Sequence, residues 1–308
     1  MKAKPVNPQH QSSIAAMILL VSTLFAIGLA DAHANENRAV PDGWQGSVVA
    51  AYARQGDSDL ESNGKFSVDR GVVELGARRR VGDRLFAGIT LGYQQDDYRF
   101  TQVAGQPWND IRTLQLGFSL RYLANQKWML FGLPLLRYST EQDVELSDGR
   151  EYGLLAGASY RFSNKLTIGP GFGAINGIGG EEDFFPILLV DWKITDSLTL
   201  ETGRGFAASR GPGLALKWRP ASAWELGIMA RYEKSRFRLL TNGNIGEDKS
   251  VPVMLTASWE PKRDIQLTAF GGVETSGRLS IENSDGVRLQ QLSYESAPQA
   301  GLLVKLSF

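Results

Sequence analysis

The 308-residue chain contains no cysteine, which removes disulfides, thiolate metal ligands and thiol nucleophiles at once. Histidine is nearly as scarce: the only two, His10 and His33, lie in the first 34 residues. Without that segment the chain has no imidazole either. A histidine base and a His- or Cys-built metal centre are then both out of reach. The expectation is a protein that is not an enzyme and needs no cofactor. Paired carboxylates could still serve a hydrolase, but the sequence does not locate a pair. The acidic groups at Asp57, Asp59 and Glu61, at Asp96 and Asp97, and at Glu181, Glu182 and Asp183 lack calcium-loop spacing. No run after residue 34 approaches the ~18 consecutive apolar residues of a spanning helix. Nor is there an excess of one charge: 33 basic residues face 33 acidic ones, which argues against a nucleic-acid partner.

What is present begins with an export signal. Lys2 and Lys4 precede an almost wholly apolar run from Ile14 to Ala30, and Ala32-His33-Ala34 supplies a small-x-small site for cleavage before Asn35. Residues 1–34 read as a signal peptide and 35–308 as one domain. Losing Lys2, Lys4 and Asp31 leaves 31 basic and 32 acidic residues.

Beyond it, apolar residues recur at every second position. Leu114, Leu116, Phe118, Leu120 and Tyr122 alternate with Thr113, Gln115, Gly117, Ser119 and Arg121. A helix would scatter those five around its cylinder; a strand puts them on one face. The same beat runs through Tyr152–Phe162, Trp224–Tyr232 and Val251–Trp259. Short turn signals at 81–83, 124–127, 163–165, 195–197, 220–222 and 261–264 alternate with longer polar connections at 55–65, 95–110, 140–150, 176–183, 207–212, 235–250 and 275–297. Thirteen connections join fourteen strands, with both ends of the chain on the short-turn side; the brevity of 207–212 leaves twelve as the fallback. The expected fold is all-β, a transmembrane antiparallel up-and-down barrel. Trp44, Trp128, Trp192, Trp218, Trp224 and Trp259 fall near the short-turn side, where indoles favour a membrane–water boundary.

The last strand carries a resemblance. Ala300, Leu302, Val304, Leu306 and Phe308 alternate with Gln299, Gly301, Leu303, Lys305 and Ser307. A terminal aromatic after such alternation resembles the C-terminal strand of Gram-negative outer-membrane β-barrels, and the chain is similar to proteobacterial barrel families of unknown function. The resemblance implies an outer-membrane location, with lipid and lipopolysaccharide as surroundings and Phe308 as the signal read by the barrel-assembly machinery. Leu306 departs from it, since such strands often carry an aromatic there. Barrels of this class that are enzymes, such as phospholipases, lipid A deacylases and omptin-type proteases, use a histidine, which the mature chain lacks.

Taken literally, the alternation points sixteen charges into the lumen: Glu74, Arg78, Arg121, Arg137, Arg161, Asp191, Lys193, Glu201, Lys217, Arg219, Glu225, Arg231, Glu233, Glu260, Glu274 and Lys305. They would either brace the wall as ion pairs or set the selectivity of a water-filled pore. Gly169, Gly171 and Gly173 would leave free space on the same face. Lys234, Arg236 and Arg238 continue an outward face and would meet lipopolysaccharide phosphates. Asn35 to Gly43 is too short for an N-terminal plug. Two functions follow: a passive channel or uptake porin for small solutes, or a closed structural or surface-interaction barrel. An inward-folded loop would separate them.

Overall fold

The computed structural model describes residues 43–61, 64–103, 106–202 and 213–308. The expected signal peptide and the connection at 207–212 lie outside them. The strand segments in chain order are β1 (Trp44–Asp59), β2 (Lys65–Val81), β3 (Leu85–Thr101), β4 (Ile111–Leu123), β5 (Trp128–Glu141), β6 (Arg150–Ser163), β7 (Leu166–Asn176) and β8 (Glu182–Lys193). They continue as β9 (Leu198–Thr202), β10 (Gly213–Ala221), β11 (Trp224–Arg231), β12 (Glu233–Arg238), β13 (Ile245–Lys262), β14 (Ile265–Glu282), β15 (Arg288–Tyr294) and β16 (Ala297–Ser307). Wall neighbours pair antiparallel, and β16 pairs with β1 from Ser47↔Ser307 to Gln55↔Gln299, closing the sheet. Segments β11 and β12 both pair with β13, and β15 and β16 both pair with β14, so each couple counts once. The result is a closed barrel of fourteen strands, the number the turn alternation predicts.

Strand tilt can be read from the register. One row of partners runs Ala51↔Val72↔Gln94↔Thr113↔Ser139. It starts seven residues above Trp44 and ends eleven above Trp128. Four residues of climb over four strand spacings is a tilt of about 35°, within the range closed membrane barrels need.

The apolar residues of the alternation stand on the outside. Val73, Leu75, Leu91, Leu120, Leu130, Leu154, Leu188, Leu255 and Leu302 are exposed, and alternate with buried or half-buried inward residues. Six exposed tryptophans (44, 128, 192, 218, 224 and 259) ring the short-turn end, with Trp224 stacked on Trp259 at 6.2 Å. Trp108 is the exception, 2 % exposed inside the long-loop end. The terminal strand is locked at its last residue: Phe308 N–H donates to Gly46 O (3.0 Å) and Gly46 N–H to Phe308 O (2.6 Å). The Phe308 ring lies over Gly46, where any Cβ would collide with it.

Several stretches expected as loops are strand. β1 runs to Asp59, β3 to Thr101 and β14 to Glu282, and residues 235–250 form most of β12 and the start of β13. Beyond the apolar band the outward face turns polar while aromatics take the inward one, so the apolar beat stops although pairing does not. Ser67, Asp69 and Asp97 against Phe66, Val68 and Tyr98 show this change.

Candidate functional site

Above the band, β12, β13, β14 and β15 form a four-stranded extension of the wall. Its edge strand β12 leans across the mouth and touches β5 in parallel at Arg238↔Thr140. β5 and β11 lie six strands apart on a ring of fourteen, nearly opposite, so this flap spans the opening. It shuts on an aromatic core. Phe66, Tyr98, Trp108, Phe237 and Tyr294 are buried together with Leu60, Ile111, Leu239, Leu279 and Leu292. Trp108 meets Phe237 edge-on at 5.0 Å and Tyr98 at 5.6 Å, geometry that adds to simple area burial. The barrel therefore has an inward-folded loop, and its long-loop end is capped.

An ionic latch fixes the flap edge to the β7–β8 connection. Lys234 Nζ lies 3.0 Å from Glu181, 3.1 Å from Asp183 and 3.8 Å from Glu247. Arg236 bridges Glu181 (2.6 Å), Glu282 (2.8 Å) and Glu247 (3.4 Å), and donates to Ile178 O (3.3 Å). Burial opposes these charges, but the partners outweigh it. Lys234 and Arg236 are held above their ordinary values by Glu181 and its neighbours. Glu247, likewise desolvated, is held below the ordinary carboxylate value by Lys249, Lys234 and Arg236. At the far edge Glu141 accepts Leu240 N–H (2.8 Å) and Asn109 N–H (2.8 Å), tying flap and β3–β4 connection to β5.

This contradicts the lipopolysaccharide expectation. Lys234 and Arg236 do not stand on the lipid side: they are buried among carboxylates, and Arg238 donates to Gly243 O (2.6 Å) and Asp148 O (3.2 Å). β11 and β12 keep one register with β13, so Lys234, Arg236 and Arg238 continue the outward face of β11, but above the band β12 crosses the mouth to β5 and the β7–β8 connection, through Glu181, covers that face.

Under the flap lies a polar chamber. Arg70 sits 3.4 Å from Glu274 and 3.5 Å from Asp248 and donates to Gln55 Oε1 (3.2 Å). Tyr98 Oη donates to Asp248 (2.8 Å), and Tyr294 Oη lies 2.8 Å from Glu274 and 3.0 Å from Asp248. The adjoining cavity, about 60 Å³, is lined by polar Arg231, Glu233, Ser235 and Asp248 and by apolar Ala51, Ala53, Val72, Met254 and Phe270.

Lower down, the inner wall of β5–β8 is apolar: Phe131, Leu133, Leu155 and Phe185 pack with Ile175, Ile187 and Leu189. The neighbouring glycines do not leave free space, as the sequence suggested. A Cβ on Gly173 would enter the Phe185 ring, and one on Gly171 or Gly157 would lie 3.3 Å or 2.7 Å from Phe131 Cζ. The protein's own rings fill the groove.

The structure joins some of the expected lumen charges into pairs. Lys217 bridges Glu201 (3.1 Å) and Glu225 (3.0 Å), and Arg219 also meets Glu225 (2.9 Å). Arg231 pairs with Glu233, Arg137 with Glu151 (3.4 Å), and Arg78 donates to Gln45 (2.7 Å). Glu74 is buried on β2 and Glu260 exposed near the end of β13. Arg121, Arg161, Asp191, Lys193 and Lys305 lie within about two residues of the short-turn end. Seven other inward groups were not foreseen: Arg70, Arg80, Asp96, Glu141, Glu151, Asp183 and Asp248. Asp96, Glu141 and Asp248 sat in stretches read as loops, although the step of two from Gln94, Ser139 and Ser250 marks their face.

Sorted by height, the charges separate. Within four residues of the short-turn end, the inward register holds Arg78, Arg80, Arg121, Arg161, Lys193, Lys217, Arg219 and Lys305 against Asp191, Glu201, Glu225 and Glu260. Seven or more residues up, the described inward register holds Arg70, Arg137 and Arg231 against Glu74, Asp96, Glu141, Glu151, Asp183, Glu233, Asp248 and Glu274. The overall balance is the sum of a basic inner zone and an acidic outer zone. Among the described residues no group of three or more His, Cys, Asp or Glu side chains is arranged to hold a metal ion.

No family model matches the chain, and no curated protein matches it. Among solved structures it is similar to the COG4313 outer membrane channel from Pseudomonas putida F1, with a TM-score of 0.49 and 13% identity over 89% of this chain and 98% of that one. It is also similar to the P. putida toluene transporter TodX (0.48, 8%, covering 87% and 90%) and to a Pseudomonas aeruginosa FadL homologue (0.44, 11%, covering 86% and 88%). At such values the likeness says nothing of what this chain carries.

Proposed function

We propose that the protein is an outer-membrane channel that passes small solutes passively through its lumen, with the flap edged by β12 as a displaceable cap. The outward apolar band and the tryptophan ring support a membrane setting, because both would be costly in water and both fit a bilayer and its boundary. Short turns then face the periplasm and long loops the exterior. The observation that carries the reading is the construction of the seal. The mouth is closed by an insert, and the wall below it is complete without that insert: β11 pairs with β13 from Trp224↔Trp259 to Ala230↔Val253. Moving the flap opens the mouth without opening the barrel. A ring of fourteen strands is also wider than the eight that wall side chains alone can fill. The tightness of the aromatic seal favours the second reading, a closed structural barrel.

Liposome swelling separates them. Vesicles holding the Lys234→Gln/Arg236→Gln variant should admit small neutral sugars faster than vesicles holding the native chain, and both faster than protein-free vesicles. Equal, protein-independent rates for both would favour the structural barrel.

A further inference from the structure

We infer that the lumen is bipolar, rectifying ion current and passing dipolar solutes of zero net charge in preference to ions of either sign. The inference rests on the channel reading and deepens it by naming a solute class. It follows from the segregation of wall charge described above, in which cations dominate the short-turn end and carboxylates the long-loop end. The centres of the two zones lie about eight residues apart along strands tilted by about 35°, hence roughly 20 Å apart along the axis. Pairing within a zone, as in Lys217 with Glu201 and Glu225, lowers local cost but leaves the zone's net sign unchanged.

At 0.1 M salt the screening length is ~10 Å, shorter than the distance between the zone centres, so each acts largely separately on what passes. The outer zone concentrates cations and repels anions, and the inner zone does the reverse. A small anion is opposed at the first zone and a small cation at the second. A zwitterion has no net charge for either zone to exclude, and between them it is oriented with its ammonium toward the exterior zone and its carboxylate toward the periplasmic one. For salt, an outer side held positive drives each zone's counter-ions toward the junction and fills it. The opposite polarity draws them apart and depletes it. Current is therefore larger in the first direction.

The test is a set of single-channel current–voltage curves in symmetric KCl, for the native chain and for the Lys234→Gln/Arg236→Gln variant with its loosened cap. At 0.1 M the currents at equal and opposite voltages should differ by about twofold or more, and at 1 M, where screening shrinks to ~3 Å, the difference should vanish. Arg78→Gln/Arg121→Gln/Lys305→Gln should lose the asymmetry while still conducting; if that variant does not assemble, the salt dependence of the native chain tests the same point. In vesicles, glycine should enter faster than acetate or methylammonium. A linear curve at 0.1 M from a conducting channel would overturn the inference and leave the channel reading standing. Silence of both proteins at both salt concentrations would instead remove the channel reading and this inference with it.

Discussion

Replacing Arg236 by Gln tests whether the latch holds the flap down. Arg236 is 5 % exposed and meets Glu181, Glu247 and Glu282 within 3.4 Å. Gln keeps a donor and most of the volume but removes the charge, so three carboxylates remain around one buried spot with Lys234, Lys249 and Arg288 as remaining cations. Removing one partner from a buried ionic group costs ~3–5 kcal/mol. If all of it falls on the closed flap, the opening equilibrium shifts by roughly 10²-fold to several thousandfold, at 1.4 kcal/mol per decade. Half-exposed Glu181 can rehydrate, which places the expected value at the lower end. Hydrogen exchange in detergent micelles would read it on the amides of β12 and of Ile245–Lys249. Those should exchange about a hundredfold faster, while amides of β2 and β3 within the apolar band keep their protection. Unchanged protection in β12 would refute the latch; loss throughout the barrel would show a structural role for Arg236 in the whole wall.

Other consequences follow from the same contacts. Glu247 is held below its ordinary value of 4.5, so its contribution is present above that pH and lost as pH falls through the depressed folded value; Lys234, held above 10.5, contributes below that pH and is lost above it. The flap, with Glu181, Asp183 and Glu282 alongside, should therefore be tightest between about pH 5 and 10 and loosen in acid, seen as rising Trp108 quenching by acrylamide below pH 4 while the barrel stays folded. Gly173→Val should drive Phe185 off the wall at a cost of ~1–3 kcal/mol, lowering the temperature at which the folded band converts on unheated gels; an unaltered transition would deny the ring-on-glycine packing. Deleting Phe308 removes both exchanged hydrogen bonds to Gly46 and the terminal aromatic, and should reduce the heat-modifiable barrel recovered from membranes; full recovery would reject an assembly role.

The wall was legible in the sequence because membrane strands have a strict period: one face must be apolar, and Leu114 to Tyr122 or Ala300 to Phe308 announce it residue by residue. The turns were legible for the same reason, as breaks in that beat. The cap was not. Past the bilayer the outward face has no need of apolar groups, so β12 and the upper parts of β3, β13 and β14 look like polar loops, and Phe66, Tyr98, Trp108 and Phe237 seem unrelated until the flap gathers them. Extending β11 gives the right face for Lys234, Arg236 and Arg238 but not its surroundings: the strand leans across the mouth, and the β7–β8 connection buries what would otherwise face outward. Charge zoning was hidden for a different reason. A count over the whole lumen comes out nearly balanced, and only the height of each residue along its strand shows that each sign predominates at its own end.

The most direct test of a capped channel uses the absence of native cysteine. Arg238 and Thr140 are register partners where the flap edge reaches the opposite wall, so Arg238→Cys/Thr140→Cys would place two thiols at adjacent backbone positions. Oxidised, the pair should pin the flap and silence the channel in a planar bilayer; reduced in place, the same molecules should conduct. Equal conductance in the two states would mean that solutes do not pass the flap, and silence in both would mean a barrel that does not conduct.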